Sequence, residues 1–409
     1  MDILLHTLGN GIRLVHVGTG SAVAYFGIAV NAGSRDEGDS EHGIAHFTEH
    51  MFFKGTARRK SFHIFSRIED VGGELNAYTT KEETVFYTSF LKDDCERAVE
   101  LLADVMCNSV FPEKEIQKEK DVVIDEINSY LDSPAELIFD EFDEQIFGAG
   151  AIGHSILGKP ETVSKFTRDD ICRFVAQHYA AGNMVVFSAG NISNGKIIKL
   201  VEKYFGACSP ARSHSPRTKT GSEYRQSDVA GRNDTFHSHC IIGTRAYNIT
   251  HRNHYGMCLL NSILGGHGLN SRLNMELREK RGLAYTVESG YTPYSDTGVF
   301  SIYFAADKKH IEKCLSVTFR EMHRLCTQKL GTVQLCRAKK QLKGYAARSF
   351  ENHENMAIGM AKSLVSLNRT HTLEDICMEI DAITALQMMD IANEILDSEK
   401  MSMLTYSQK

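Results

Sequence analysis

His46, Glu49 and His50 stand in the run Gly43-Ile44-Ala45-His46-Phe47-Thr48-Glu49-His50-Met51-Phe52-Phe53-Lys54-Gly55-Thr56. The run lacks proline, opens after Gly43 and closes at Gly55, so it predicts a short helix. Residues four apart share one helix face, which brings the two imidazoles together around one ion. Glu49 falls at the edge of that face, where its carboxylate can reach a water on the ion without binding the ion itself. Two neutral imidazoles suit zinc, and a neighbouring carboxylate suits the general base of a metal-assisted hydrolysis. The order of residues inverts that of the commoner zinc-protease helix. In a chain with 18 histidines the pattern also arises by chance. Zinc hydrolases keep three protein ligands and one open position, so a third ligand is required.

The stretch 112–128, Pro-Glu-Lys-Glu-Ile-Gln-Lys-Glu-Lys-Asp-Val-Val-Ile-Asp-Glu-Ile-Asn, begins with proline and is rich in helix formers. Glu119 and Glu126 are seven apart, two turns along one face. On spacing alone this helix reads as a solvated charged face.

The segment 43–128 resembles the pitrilysin-type metallopeptidases, which include insulysin and the mitochondrial processing peptidase. In that family the third ligand is a glutamate about 75 residues beyond the second histidine, and 75 residues lie between His50 and Glu126. The resemblance therefore implies one zinc per chain on His46, His50 and Glu126. It also implies Glu119 as a supporting carboxylate one helical repeat earlier. The run Ser271-Arg272-Leu273-Asn274-Met275-Glu276-Leu277-Arg278-Glu279-Lys280-Arg281-Gly282-Leu283-Ala284-Tyr285 resembles the family as well. There an arginine and a tyrosine seven residues apart cross from the half without metal to the active site, a spacing matched by Arg278 and Tyr285. An arginine can anchor a peptide carbonyl, and a phenol can donate to an oxyanion. Read without the family, Arg278 is a surface ion-pair residue and Tyr285 a half-buried strand residue.

The resemblance is to the short, two-domain members akin to the mitochondrial processing peptidase. It implies a zinc endopeptidase that cleaves peptides or unfolded polypeptides, with Glu49 taking the proton of water and returning it to the leaving amine. The peptide is expected to add as a strand along Asn76-Ala77-Tyr78, because backbone pairing accepts many sequences. Larger family members close four such domains into a clamshell within one chain. This chain has material for two, so the expectation is a homodimer, with a heterodimer of related chains as the other possibility. The alternative from another class is a non-catalytic core or assembly subunit of the same fold.

The elements that must position these residues follow from the rest of the chain. With 409 residues and 42% hydrophobic content it can bury two or more cores. A net charge of −6 argues against a nucleic-acid partner. No apolar run approaches a membrane span, and residues 1–7 lack the features of a secretory signal. Ten cysteines without a CxxC pair read as free or buried thiols of a reducing compartment, hence a cytoplasmic enzyme.

Strands are expected at 11–17, 22–32, 74–80, 84–90 and 184–189, with helices at 61–71, 93–108 and 167–180 around the metal helix. The stretch 133–145 reads as acidic with aromatic interruptions, and His154 as a packing or turn residue. Residues 208–228 shift to Ser, Pro, Arg, Lys and Thr and read as a linker. The second half repeats the order: strand 240–244, helix 255–263, helix 271–279, strands 285–290 and 298–304, helix 308–324. The equivalent of its metal helix carries no HxxEH. Hence an α+β fold is expected, made of two duplicated domains, 1–207 and 229–409. Each has a mixed or antiparallel sheet with helices packed on one side, the pitrilysin/LuxS-like metallohydrolase type.

Overall fold

The computed structural model describes residues 2–148, 150–208, 217–221, 224–232, 234–266 and 268–407. In chain order the first elements are β1 (Asp2–Thr7), β2 (Arg13–Gly18), β3 (Val23–Val30), α1 (Ile44–Phe52), α2 (Ser61–Glu69), β4 (Glu74–Thr79), β5 (Thr84–Leu91), α3 (Cys95–Asn108) and α4 (Glu113–Leu131). They are followed by α5 (Pro134–Phe147), α6 (Pro160–Val163), α7 (Arg168–His178), β6 (Met184–Gly190) and α8 (Asn194–Phe205). The second half comprises β7 (Asp228–Ala230), β8 (Ser238–Ala246), α9 (His254–Leu264), β9 (Ala284–Pro293), β10 (Gly298–Ala306), α10 (Ile311–Thr327), α11 (Thr332–Glu351), α12 (His353–Leu367), α13 (Leu373–Ala382), α14 (Ala385–Ile395) and β11 (Ser402–Tyr406). Between α9 and β9 the stretch Asn274–Glu279 is a π-helical turn.

The first sheet has the order β1-β2-β6-β3-β5-β4, antiparallel except where β2 and β6 run parallel. Its central strands β3 and β6 are almost wholly buried, as a strand apolar on both faces must be. The second sheet has the order β7-β11-β8-β10-β9, with only β7 and β11 parallel. The repeated strand, strand, helix order appears as β4-β5-α3 and β9-β10-α10.

The chain forms two compact units, and neither is one contiguous stretch. One is Met1–Ser129 with His154–Thr218 and Ser349–His371; the other is Tyr130–Gly153 with Lys219–Arg348 and Thr372–Lys409. The single break expected between 207 and 229 omits two helices that change sides. Helix α12 lays Met356, Ala357, Met360, Ala361 and Leu364 on Val15, Val17, Ala29, Val85, Val185 and Phe187 of the first sheet. Helix α5 lays Ile138, Phe142 and Ile146 on Ile241, Val299, Tyr303 and Tyr406 of the second. The cause is burial: a sheet apolar on two faces exposes one until a helix covers it, at a cost of about 25 cal/mol per Å² of apolar surface. Of the expected linker, residues 209–216 and 222–223 lie outside the described residues.

One cysteine expectation is corrected. Cys107, at the end of α3, and Cys208, beyond α8, form a disulfide across a sequence separation of 101 residues. Helices α3 and α8 pack on each other and bring these ends together. The other eight cysteines are free. Cysteine usage therefore no longer argues for a reducing compartment. Among the described residues no helix is long and apolar enough to cross a membrane.

Candidate metal centre

Helix α1 begins at Gly43, whose φ of 97° lies in the left-handed region that glycine enters without strain. Glu37 caps this start with both carboxylate oxygens: Oε2 accepts from Gly43 N at 2.8 Å and Oε1 from Ala45 N at 2.9 Å. His154 Nε2 also lies 3.0 Å from Glu37 Oε2, and its ring stacks on His42 at 3.9 Å. His154 thus packs beside the helix entry, as its sequence reading had it. Burial pushes the Glu37 carboxyl well up, against the two backbone donors that favour its charge.

Along α1, His46 and His50 bring their ring centroids within 4.6 Å. Glu126 of α4 faces both: its Oε1 is 3.8 Å from His46 Nε2 and its Oε2 is 3.7 Å from His50 Nε2. One ligand atom from each of the three lies within 4.8 Å of the others. Zinc–ligand bonds of about 2.0–2.2 Å place tetrahedral donors roughly 3.4 Å apart, so a small inward movement accommodates the ion. The donor set, two imidazoles and a carboxylate, is that of a hydrolytic zinc site with its fourth position open.

The other polar atoms organise these donors. His50 Nδ1 lies 2.9 Å from Glu119 Oε1 and donates to it, which directs Nε2 toward Glu126. Lys54 Nζ lies 2.6 Å from the other oxygen of Glu119. Burial alone would raise the Glu119 carboxyl, but the hydrogen bonds from His50 and Lys54 outweigh it and hold the group below its usual range. Burial likewise disfavours the His50 cation, yet its bond to Glu119 and the carboxylates of Glu49 and Glu126 raise the imidazole. His46 lacks such a partner. Burial, then the neighbouring His50, lowers it to about 3, and its buried Nδ1 has no hydrogen-bond partner among the described residues. Both rings direct Nε2 at Glu126, His50 with its Nδ1 held by Glu119 and His46 without such a bond.

Glu49 is 7% exposed, and burial raises its carboxyl. Its Oε2 accepts from Thr79 Oγ1 at 2.6 Å. Thr79 ends β4, which lies at the edge of the first sheet beside β5 alone. Directly opposed residues share a face, so Asn76 sides with Tyr87 and Tyr78 with Val85, toward α12. Ala77 falls on the face of Thr79, toward α1.

Arg278 and Tyr285 lie in the second unit. Arg278 sits in the π-helical turn, half exposed, with Nε 4.0 Å from Glu279 Oε1. Tyr285, at the start of β9, is 55% exposed and donates its phenol to Asp307 Oδ1 at 3.1 Å. That bond raises the phenol, and the ring packs against His237 with centroids 4.5 Å apart.

The structure thus brings His46, His50, Glu126, Glu119 and Glu49 together, and places Asn76, Ala77 and Tyr78 on an edge strand. Sequence reading missed Lys54, Thr79 and Glu37. Lys54 could have been found, because it lies one helical turn beyond His50. Thr79 and Glu37 reach α1 only through folding.

Residues 15–160 match the model of the insulinase family, peptidase family M16, and residues 165–342 match that of the peptidase M16 inactive domain. The chain is 32% identical over 399 residues to the uncharacterized zinc protease YmxG of Bacillus subtilis, covering 96% of each. It is 28% identical over 398 residues to the beta subunit of the mitochondrial-processing peptidase of Rattus norvegicus, covering 95% of this chain and 81% of that one. In fold it is similar to a peptidase M16 inactive domain from Pseudomonas fluorescens, with TM-score 0.89, 23% identity, and coverage of 100% and 98%. It is also similar to a protease from Helicobacter pylori, with TM-score 0.90, 20% identity and 99% coverage of both chains.

Proposed function

For a chain that belongs to peptidase family M16, the insulinase family, we propose zinc-dependent endopeptidase activity on peptides or unfolded polypeptides, with His46, His50 and Glu126 as ligands and Glu49 as general base. The observation that carries this reading is the convergence of His46, His50 and Glu126 beside a buried Glu49. A zinc ion held there supplies Lewis-acid polarisation of water and of the scissile carbonyl.

The chain's own residues do the rest. Glu49, kept more basic by burial and aimed by Thr79, takes a proton from the attacking water and delivers it to the departing amine. Glu119 and Lys54 hold His50 in its donor tautomer. A substrate adds to β4 by backbone pairing, with Asn76, Ala77 and Tyr78 as its partners. Ala77 leaves room on the face of Thr79, whereas the side chains of Asn76 and Tyr78 lie on the other. Arg278 and Tyr285 anchor a substrate carbonyl and donate to the oxyanion. They serve the centre of a second chain in a dimer, a homodimer being simplest because one chain carries both sets.

The match of residues 165–342 to an inactive domain leaves a second reading open, a non-catalytic assembly subunit. A quenched-fluorescent peptide library, assayed with zinc-loaded and chelator-treated protein, separates the two. Cleavage that disappears with the metal and returns on zinc addition supports the peptidase. Bound zinc with no cleavage of any library member supports the subunit.

A further inference from the structure

Residues 217 and 218 fall in the stretch that reads as a linker, yet their contacts lead straight to the candidate metal centre. Arg217 places its guanidinium on Asp36 in a two-pronged pair, Nε to Oδ1 at 2.9 Å and Nη2 to Oδ2 at 2.9 Å. The same Nη2 donates to the backbone carbonyl of Glu82. Arg35, next to Asp36, donates Nη1 to Glu82 Oε1 at 2.5 Å and Nη2 to the carbonyl of Thr218 at 3.0 Å. Asp36 is only 4% exposed and Arg217 only 12%.

These contacts bridge two turns. One, residues 33–37, enters the metal helix and ends on its capping residue Glu37. The other, residues 80–83, joins β4 to β5 and follows Thr79 directly. The turns also touch through their backbones, Ser34 N to Thr80 O at 3.1 Å and Arg35 N to Lys81 O at 2.7 Å. They approach so closely that a Cβ on Gly33 would lie 2.3 Å from the Thr80 carbonyl oxygen.

We propose that Arg217 is a positioning residue for the metal centre: from the end of the His154–Thr218 segment it latches the entry of the metal helix to the β4–β5 turn, and so fixes Thr79 against Glu49. Asp36 pairs with Arg217, and the Glu82 carboxylate lies within 4.0 Å of both guanidiniums, Arg35 and Arg217. Without Arg217 the carboxylate of Asp36 keeps Gly33 N, at 3.0 Å, and Glu82 keeps Arg35. The two turns then retain their backbone contacts and the Arg35–Glu82 pair but lose the second cation, the one that joins Asp36 to the Glu82 carbonyl. The inference rests on Glu49 as base for its catalytic consequence, and on geometry alone for the latch.

The test uses the full-length, zinc-loaded protein with Arg217→Ala and Arg217→Lys. Amide hydrogen exchange is measured at 33–37 and 80–83, and kcat, KM and zinc content are measured alongside. In Arg217→Ala the Ser34 and Arg35 amides exchange at least about tenfold faster. The kcat falls by about tenfold with zinc content unchanged. Arg217→Lys lies between, because an ammonium cannot reproduce the fork. Should Arg217→Ala not fold, Asp36→Asn removes the same pair with little change of shape.

Unchanged exchange at Ser34 and Arg35 overturns the latch whatever the activity. Faster exchange with wild-type kcat and KM per zinc-loaded molecule overturns the positioning role. Faster exchange in a protein whose wild type cleaves no peptide leaves the latch standing and removes the peptidase reading instead.

Discussion

Thr79, the last residue of an edge strand, donates its hydroxyl to Glu49 of the metal helix at 2.6 Å. One hydrogen bond therefore ties the strand proposed to receive substrate to the proposed base. Hydrogen bonds to charged groups contribute about 1.5–3 kcal/mol. Thr79→Val should accordingly lower kcat by about tenfold to a hundredfold with zinc content unchanged, and Thr79→Ser should recover most of it. Steady-state kinetics with metal analysis checks this; wild-type kcat in Thr79→Val would show that Glu49 is aimed by something else.

In the proposed centre Glu119 would act on the metal through His50, whose Nδ1 lies 2.9 Å from it. Replacing it with glutamine removes the charge that fixes the ring and should weaken zinc binding by about 10–100-fold. Lys54→Met, which strips the second partner of Glu119, should act in the same direction but less. Competition with a zinc indicator dye measures both, and equal affinity in all three proteins contradicts the role given to Glu119.

Zinc that binds the folded chain stabilises it by mass action, by about 2.7 kcal/mol at a free concentration a hundred times Kd. Chelator-treated wild type should melt at lower temperature and recover on zinc addition, whereas His46→Ala should show no zinc-dependent shift. Differential scanning calorimetry of the two proteins settles the point.

A pH effect is expected away from the metal. His16 is wholly buried in β2, with Nε2 2.9 Å from the carbonyl of Ile192, and burial lowers its imidazole. The folded chain thus binds this proton less readily than the unfolded chain. Stability from neutral His16 is present above the unfolded value of about 6.5 and is lost as pH falls below it. Urea unfolding between pH 7.5 and 5 should show that decline, and His16→Gln should flatten it.

Helical periodicity pairs His46 with His50, one turn apart, whereas Glu119 and Glu126, two turns apart, read on spacing as a charged face and are tied to the metal by the family resemblance. What converts the second pair from a charged face into a ligand and its support is the packing of α4 beside α1, which periodicity does not contain. Thr79 joins Glu49 only when an edge strand meets a helix 30 residues away in sequence. The spacing of Ile138, Phe142 and Ile146 marks α5 as an amphipathic helix, but an apolar face does not name the sheet it covers. For the same reason the exchange of α5 and α12 between units could not be read in advance. Nor could the pairing of Cys107 with Cys208, since ten cysteines scattered along a chain specify no partner.

The most direct test of the peptidase reading is cleavage of a responsive peptide by Glu49→Gln, with zinc measured on the same sample. The change keeps the shape of the side chain and removes its basicity. The account predicts a full complement of zinc and a loss of kcat of at least about a thousandfold, within the span of general-base catalysis. Wild-type turnover by a zinc-loaded Glu49→Gln protein would contradict it.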